Sequence, residues 1–269
     1  EAGLDVRLAN PAAMAPYTGL KVTDDAHDAR WLAEQLRLGV LPECYIYPKE
    51  SRPVRDLLRR RMLMVRQHTQ AALSLKGLLA RQGRQAPSVA QLHAWTEPDL
   101  AAAGSDPFSQ LQARSLLEVM RHLRVQIAQV AAAVQSFVQP DPAFAQLQAL
   151  PGVGPILAMT IHLETGTFGR FPAAGQYASY CRAVRSERTS NAKRKGQNNT
   201  RNGNPYLAWA FSEAAVFAVR FHPRIQAWYE RKRQRRNRAV AMKALTCKLA
   251  KAAWHVMHGK VFDERLLFG

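Results

Sequence analysis

Three hydroxyls, Ser186, Thr189 and Ser190, stand in the stretch RSERTSNAKRKGQNNTRNGNPYLAWAF (185–211), among the cations Arg185, Arg188, Lys193, Arg194 and Lys195. A serine hydroxyl attacks poorly until a base or a metal helps to remove its proton. Neither a GxSxG turn nor the Ser/His/Asp order of a hydrolase stands here to do so. The neighbouring cations can hold a phosphodiester and stabilise charge developing on it. Asn198 and Arg201 extend the same grip. The residues alone leave two readings open: serine chemistry on a phosphodiester, or a polar loop that only grips phosphates.

Two further clusters bear on that choice. Asp25 and Asp28, in KVTDDAHDAR, are spaced i, i+3, so a helix would set both carboxylates on one face where they could share a divalent cation. Acids at a helix start are also favoured for capping and by the helix dipole, with no metal involved. LPGVGPILA (150–158) sets Gly152 and Gly154 between two helical segments, as a helix-hairpin-helix module does. Glycines there let a backbone approach a phosphate just ahead of a helix N-terminus, or let two core helices connect tightly.

Charge favours the phosphate. The chain of 269 residues has 38 Lys and Arg against 20 Asp and Glu, a net of +18. Residues 182–260 alone hold 19 Lys and Arg against three Glu, so nearly the whole excess lies in one third of the chain. Such a block fits a polyanion, because each neutralised phosphate releases condensed counterions. Arg231, Lys232, Arg233, Arg235 and Arg236 are its densest run. No apolar run approaches the roughly 18 residues of a membrane span. Cys44, Cys181 and Cys247 are too scattered for a disulfide framework or a zinc site, which suits a reducing cytoplasm. The opening EAGLDVRLANP has no initiator Met and reads as if entered part-way through a domain.

The elements that must position these residues follow from periodicity. LDVRLANP and CYIYP read as short strands flanking a helix that starts at the aspartates and closes at Gly39. A long amphipathic helix is expected from Pro53 to about Leu79. Leu116, Met120, Leu123, Ile127, Val130, Val134 and Phe137 then step by alternating fours and threes, a heptad seam suited to a helical hairpin and to a second protomer. PYLAWAFSEAAVFAVRF reads as a buried helix with Pro205 in its first turn, followed by two more helices joined through Arg231–Arg238. The expected fold is mostly α with a partial α/β N-terminal segment, a helical hairpin and an all-α C-terminal region, divided at 1–50, 51–140 and 141–269.

Taken together, LANPAAMAPYTGLKVTDDAHDARWLAEQLRLGVLPE, residues 52–67, LPGVGPILA and YCRAVRSERTSNAKRKGQNNTRNGNPYLAWAF resemble the DEDD transposases of bacterial insertion sequences. The similarity is to the subgroup directed by a structured guide RNA (bridge or seeker RNA). The resemblance implies a RuvC-like, RNase-H-fold domain with four acids, a coiled-coil dimerisation segment, and a C-terminal domain with a nucleophilic serine. It implies target and donor DNA, guide RNA and a homodimer or larger homo-oligomer as partners, Mg2+ as cofactor, and a bacterial cytoplasmic setting. By motif, Asp25 and Asp28 match the last two acids and Ser190 the serine, with Asp24 and Ser186 as neighbouring alternatives. The first Asp and the Glu of the tetrad would lie upstream of Glu1. Residues 1–269 alone are therefore expected to hold half a metal site and to bind nucleic acid but exchange strands poorly. The competing expectations are a metal-dependent junction nuclease of RuvC type and a non-enzymatic nucleic-acid binding module.

Overall fold

The structure, a computed structural model, describes residues 3–11, 13, 14, 24–139, 141–186, 188–190, 193–196 and 202–269. The chain is largely helical and divides into two compact units, one of residues 50–145 and 158–163, the other of residues 1–49, 146–157 and 164–269.

In the first of these, α2 (Ser51–Arg81) and α5 (Pro107–Val138) pair along their length. The short α3 (Val89–His93) and α4 (Glu97–Ala101) fill the turn between them. Each start is written in the sequence. Asp106 caps α5 by accepting from the amides of Phe108 and Ser109, and Pro107 follows in the first turn, where its missing N–H costs nothing. Leu75, Leu79, Leu92, Leu117 and Met120 are all but fully buried at the turn end, each worth about 1.5–3 kcal/mol of transfer free energy. The heptad seam is only part of this core. Met120, Leu123 and Val134 are buried, Leu116, Ile127 and Val130 half-buried, and Phe137 is 47% exposed. Ala113, Leu117 and Val138, off the seam, are buried instead. The buried face is wider than a coiled-coil stripe, because α3 and α4 also pack against it.

The other unit opens with α1 (Asp25–Arg37), which ends ahead of Gly39 at φ +69°. The two expected strands are absent among the described residues. Their segments meet in a single antiparallel bridge, Ala9 to Glu43, with Cys44 N–H donating to Leu8 O at 2.6 Å. Leu4, Val6 and Leu8 are 78%, 67% and 49% exposed, so their alternation has no described surface to pack on. The remainder runs through the last turn of α6 (Pro142–Gln148), the two ends of α7 (Pro155–Thr165), whose residues 158–163 belong to the first unit, a 3-10 turn (Phe168–Arg170) and α8 (Ala174–Tyr180). A hairpin follows, β1 (Arg188–Ser190) and β2 (Lys193–Gly196). It places a small sheet inside what reads as an all-α region. Helices α9 (Pro205–Phe221), α10 (Pro223–Arg235), α11 (Arg238–Met257) and α12 (Glu264–Phe268) complete the unit, α9 and α11 packing together. The cationic run expected to link two helices is mostly the last turn of α10 itself. Only Arg236 and Asn237 separate α10 from α11, and Asn237 caps α11 by accepting from Val240 N–H at 2.9 Å.

Candidate nucleic-acid site at the serine hairpin

Ser190 ends β1, directly across from Lys193 in an antiparallel register that also pairs Thr189 with Arg194 and Arg188 with Gly196. Directly opposed residues stand on one face with Cβ atoms about 4.5–5.5 Å apart. A cation thus shares the serine's face, and both side chains are exposed. Arg185 and Lys195 are also exposed, whereas Ser186 is half-buried and engaged in the fold. Asn198 and Arg201 lie outside the described residues, as do the side chains of Arg188 and Arg194.

A closed neck holds this excursion. Asn204 N–H donates to Tyr180 O at 2.7 Å, and Arg182 Nε donates to Asn202 O at 3.1 Å, bringing residues on either side of the hairpin together. Arg182 itself sits at φ +52°, unusual for a residue with a side chain, and Lys243 of α11 donates to its carbonyl. Gly203, at φ +89°, passes so close to Tyr180 O that any Cβ would collide with it.

Behind the neck lies a buried polar hub. Asn204, 5% exposed, accepts from the amides of Tyr206 (2.8 Å) and Leu207 (3.2 Å), capping α9. Its Nδ2 donates to Glu164 Oε2 at 2.7 Å, and that glutamate is 1% exposed. Tyr47 donates to Glu164 O at 2.5 Å, satisfying a carbonyl at the end of α7, with its hydroxyl 3.2 Å from that of Tyr180. Burial, then the Tyr180 hydroxyl, pushes the Tyr47 phenol well above its ordinary value, so it stays a donor. Arg170 lies over Tyr45, Phe171 and Tyr180, 4.3–4.5 Å from each ring centre, with Nε donating to Thr165 O. This cation-π cluster ties residues 45–47 to α7 and α8.

The remaining expected residues divide by role. Asp24 is committed as the α1 cap, accepting from His27 N–H at 2.7 Å, while Asp25 and Asp28 are exposed in the first turn. Among the described residues no group of three or more His, Cys, Asp or Glu side chains gathers to hold a metal. Gly152, at φ +75°, approaches protein and not solvent. A Cβ there would strike Ala214 O and lie 2.7 Å from Ala218 N, so this glycine lets the α6–α7 connection close on α9. Gly154 is exposed with open space around it. In α10, Arg231 donates to Phe268 O, Arg233 pairs with Glu230 at 2.7 Å and Lys232 is half-buried, whereas Arg235 and Arg236 are exposed.

Residues 144–230, which include the hairpin together with Glu164, Tyr180, Arg182 and Asn204, match the family model described as Transposase IS116/IS110/IS902 family. The chain is 27% identical over 270 residues to a Pseudomonas aeruginosa protein whose name gives it as a probable family 20 transposase, covering 96% of this chain and 78% of that one. It is also 26% identical over 219 residues to y4qE of Sinorhizobium fredii, likewise named as a transposase, covering 80% of this chain and 53% of that protein. The chain is thus similar to transposases of the IS110 type.

Sequence reasoning missed Arg170, Arg182, Glu164, Tyr47 and Tyr180. Asn204 alone carried a signal, since Asn followed by Pro ahead of an apolar run is a helix start. A distant pairing such as Glu164 with Asn204 leaves no periodic trace.

Proposed function

We propose that this chain is the strand-exchanging part of an IS110-type DNA transposase and that Ser190 is its nucleophile. One observation carries the reading: within the transposase-matching segment, Ser190 sits exposed opposite Lys193 on a hairpin whose neck is pinned to a buried hub. Ser190 gives up its proton and its Oγ bonds to phosphorus. One phosphorus–oxygen ester bond to a sugar breaks, and the leaving sugar oxygen takes up a proton. The new phosphoserine ester conserves the bond, so rejoining needs no external energy source. Lys193, Lys195 and Arg185 neutralise the phosphate, and the hub fixes where the hydroxyl points.

Asp25 and Asp28 supply two hard oxygen donors suited to Mg2+, with the remaining ligands coming from outside the described residues. When bound, the ion would polarise a phosphate oxygen. Target and donor DNA selected by a structured guide RNA complete the proposal. Self-association through the hairpin of α2 and α5 is supported by the exposure of Leu63, Leu73, Val119, Val125 and Phe137.

The protein at its full natural length, with guide RNA, both DNAs and Mg2+, is expected to yield a DNA–protein adduct that survives denaturation and is lost in Ser190→Ala. Cleavage that persists in Ser190→Ala without adduct would identify a RuvC-type nuclease instead. Salt-sensitive binding without cleavage would identify a binding module.

A further inference from the structure

Helix α9 buries Leu207, Ala210, Phe211, Ala214, Ala215 and Ala218. Its last two turns do the opposite on their outer side, where Phe217 is 41% and Phe221 63% exposed. Residues four apart share a helix face, and the two rings lie 6.2 Å apart, only 8° from parallel. Between them in sequence, Arg220 holds its guanidinium 5.2 Å from the Phe221 ring centre. Single exposed apolar residues are ordinary, but an ordered pair of rings with a cation on one of them is not. Its surroundings are cationic. Arg224 is exposed at the start of α10, and Glu213, two turns back from Phe221, is the one acid in α9.

We propose that Phe217, Arg220 and Phe221 form a stacking platform for unpaired nucleobases of a single nucleic-acid strand, a site distinct from the serine hairpin. The proposal rests on the reading that the chain acts on nucleic acid. Every base has a π-face, so aromatic rings bind single strands with little sequence preference, while arginine serves both base and phosphate. Duplex DNA keeps its bases stacked on one another and offers these rings nothing. Charge argues against a second copy of this face as occupant, since Arg220 and Arg224 would meet their own kind. Unpaired bases arise both in DNA opened for strand exchange and in RNA loops, and the platform accepts either.

Fluorescence anisotropy of the whole protein with labelled single-stranded DNA, single-stranded RNA and duplex DNA of one sequence tests this. The double variant Phe217→Ala/Phe221→Ala is expected to bind single strands roughly tenfold more weakly while losing less than about twofold on duplex. The strand type that loses more identifies the source of the bases. Phe221→Trp should retain binding, and Phe221→Leu, which keeps the apolar bulk without the π-face, should behave as Phe221→Ala does. Equal losses on single strands and duplex, full binding by Phe221→Leu, or a change of oligomeric state without loss of binding would each overturn the platform. Failure of the unmodified protein to bind any nucleic acid would instead overturn the functional reading on which it rests.

Discussion

The helical hairpin and the serine-bearing unit are stabilised by different physics. The interior of the hairpin is apolar: Leu75, Leu79, Leu92, Leu117 and Met120 are each at most 1% exposed, and Thr160 is the one buried polar residue described in its unit. The serine-bearing unit has an apolar core as well, around Leu207, Phe211 and Leu249, but it also buries Glu164, Thr165, Asn204 and Thr246. An apolar core tolerates exchange of one hydrocarbon shape for another. A buried hydrogen-bonded network does not, because each member left without a partner costs its desolvation. The hairpin core therefore tolerates exchange, whereas the hub, at the base of the excursion that carries Ser190, does not.

The largest expected effect lies on the hairpin side of that contrast. Leu75→Ala, at a fully buried site in the cluster of α2, α3 and α5, should cost about 2–5 kcal/mol through lost transfer energy and the cavity left behind. Chemical denaturation should show it, while Leu75→Met costs less than about 1.5 kcal/mol. On the other side, Asn204→Ala removes a helix cap and a donor to a buried carboxylate, together about 2–3 kcal/mol. Glu164→Gln keeps an oxygen that can accept from Asn204, so it should be much milder than Glu164→Ala. If Glu164→Gln and Glu164→Ala melted alike, the hub would be ordinary packing and the contrast between the units would fail.

The same contrast decides what could be read in advance. Helices α2 and α5 were legible because burial of one face imposes a 3.6-residue period, and α9 because its run is nearly continuously apolar; Asp106–Pro107 and Asn204–Pro205 mark the starts of α5 and α9. The lipophilic alternation of residues 4–8 promised a strand that no described surface completes, since alternation reports a tendency to pair and not a partner. The hub was illegible for the opposite reason. Tyr47, Glu164, Tyr180 and Asn204 lie 16 to 157 positions apart, and beyond the cap signal of Asn204 single polar residues at such separations announce nothing. Gly152 was legible as a close approach but not as to what. Its neighbour turned out to be the backbone of α9, so a glycine that could have faced a phosphate faces the core.

The smallest expected effect concerns a half-buried polar contact of the hairpin. His68 of α2 and His93 of α3 face each other with Nε2 atoms 2.9 Å apart and rings nearly parallel, so one nitrogen must donate and the other must be bare. Desolvation holds both below the usual histidine range. His93 is lowered further by His68, Arg124 and Arg121, and His68 by Arg124. Groups depressed in the folded state bind fewer protons there than when unfolded. Their contribution to stability is present above the unfolded value of about 6.5 and is lost as pH falls from there through the folded values. His162, in the same unit, is lowered by burial in the same direction, opposed by Asp141 at 3.4 Å, so it adds to the slope. Amide exchange in α2 should accordingly quicken as pH falls from about 7.5 to about 5.5, beyond the intrinsic pH dependence of exchange. His68→Gln should remove part of that acceleration, and His162→Gln a separate part. An unchanged acid response in His68→Gln would mean that the pair stays satisfied when protonated, and that the hairpin, unlike the hub, is indifferent to this half-buried polar contact.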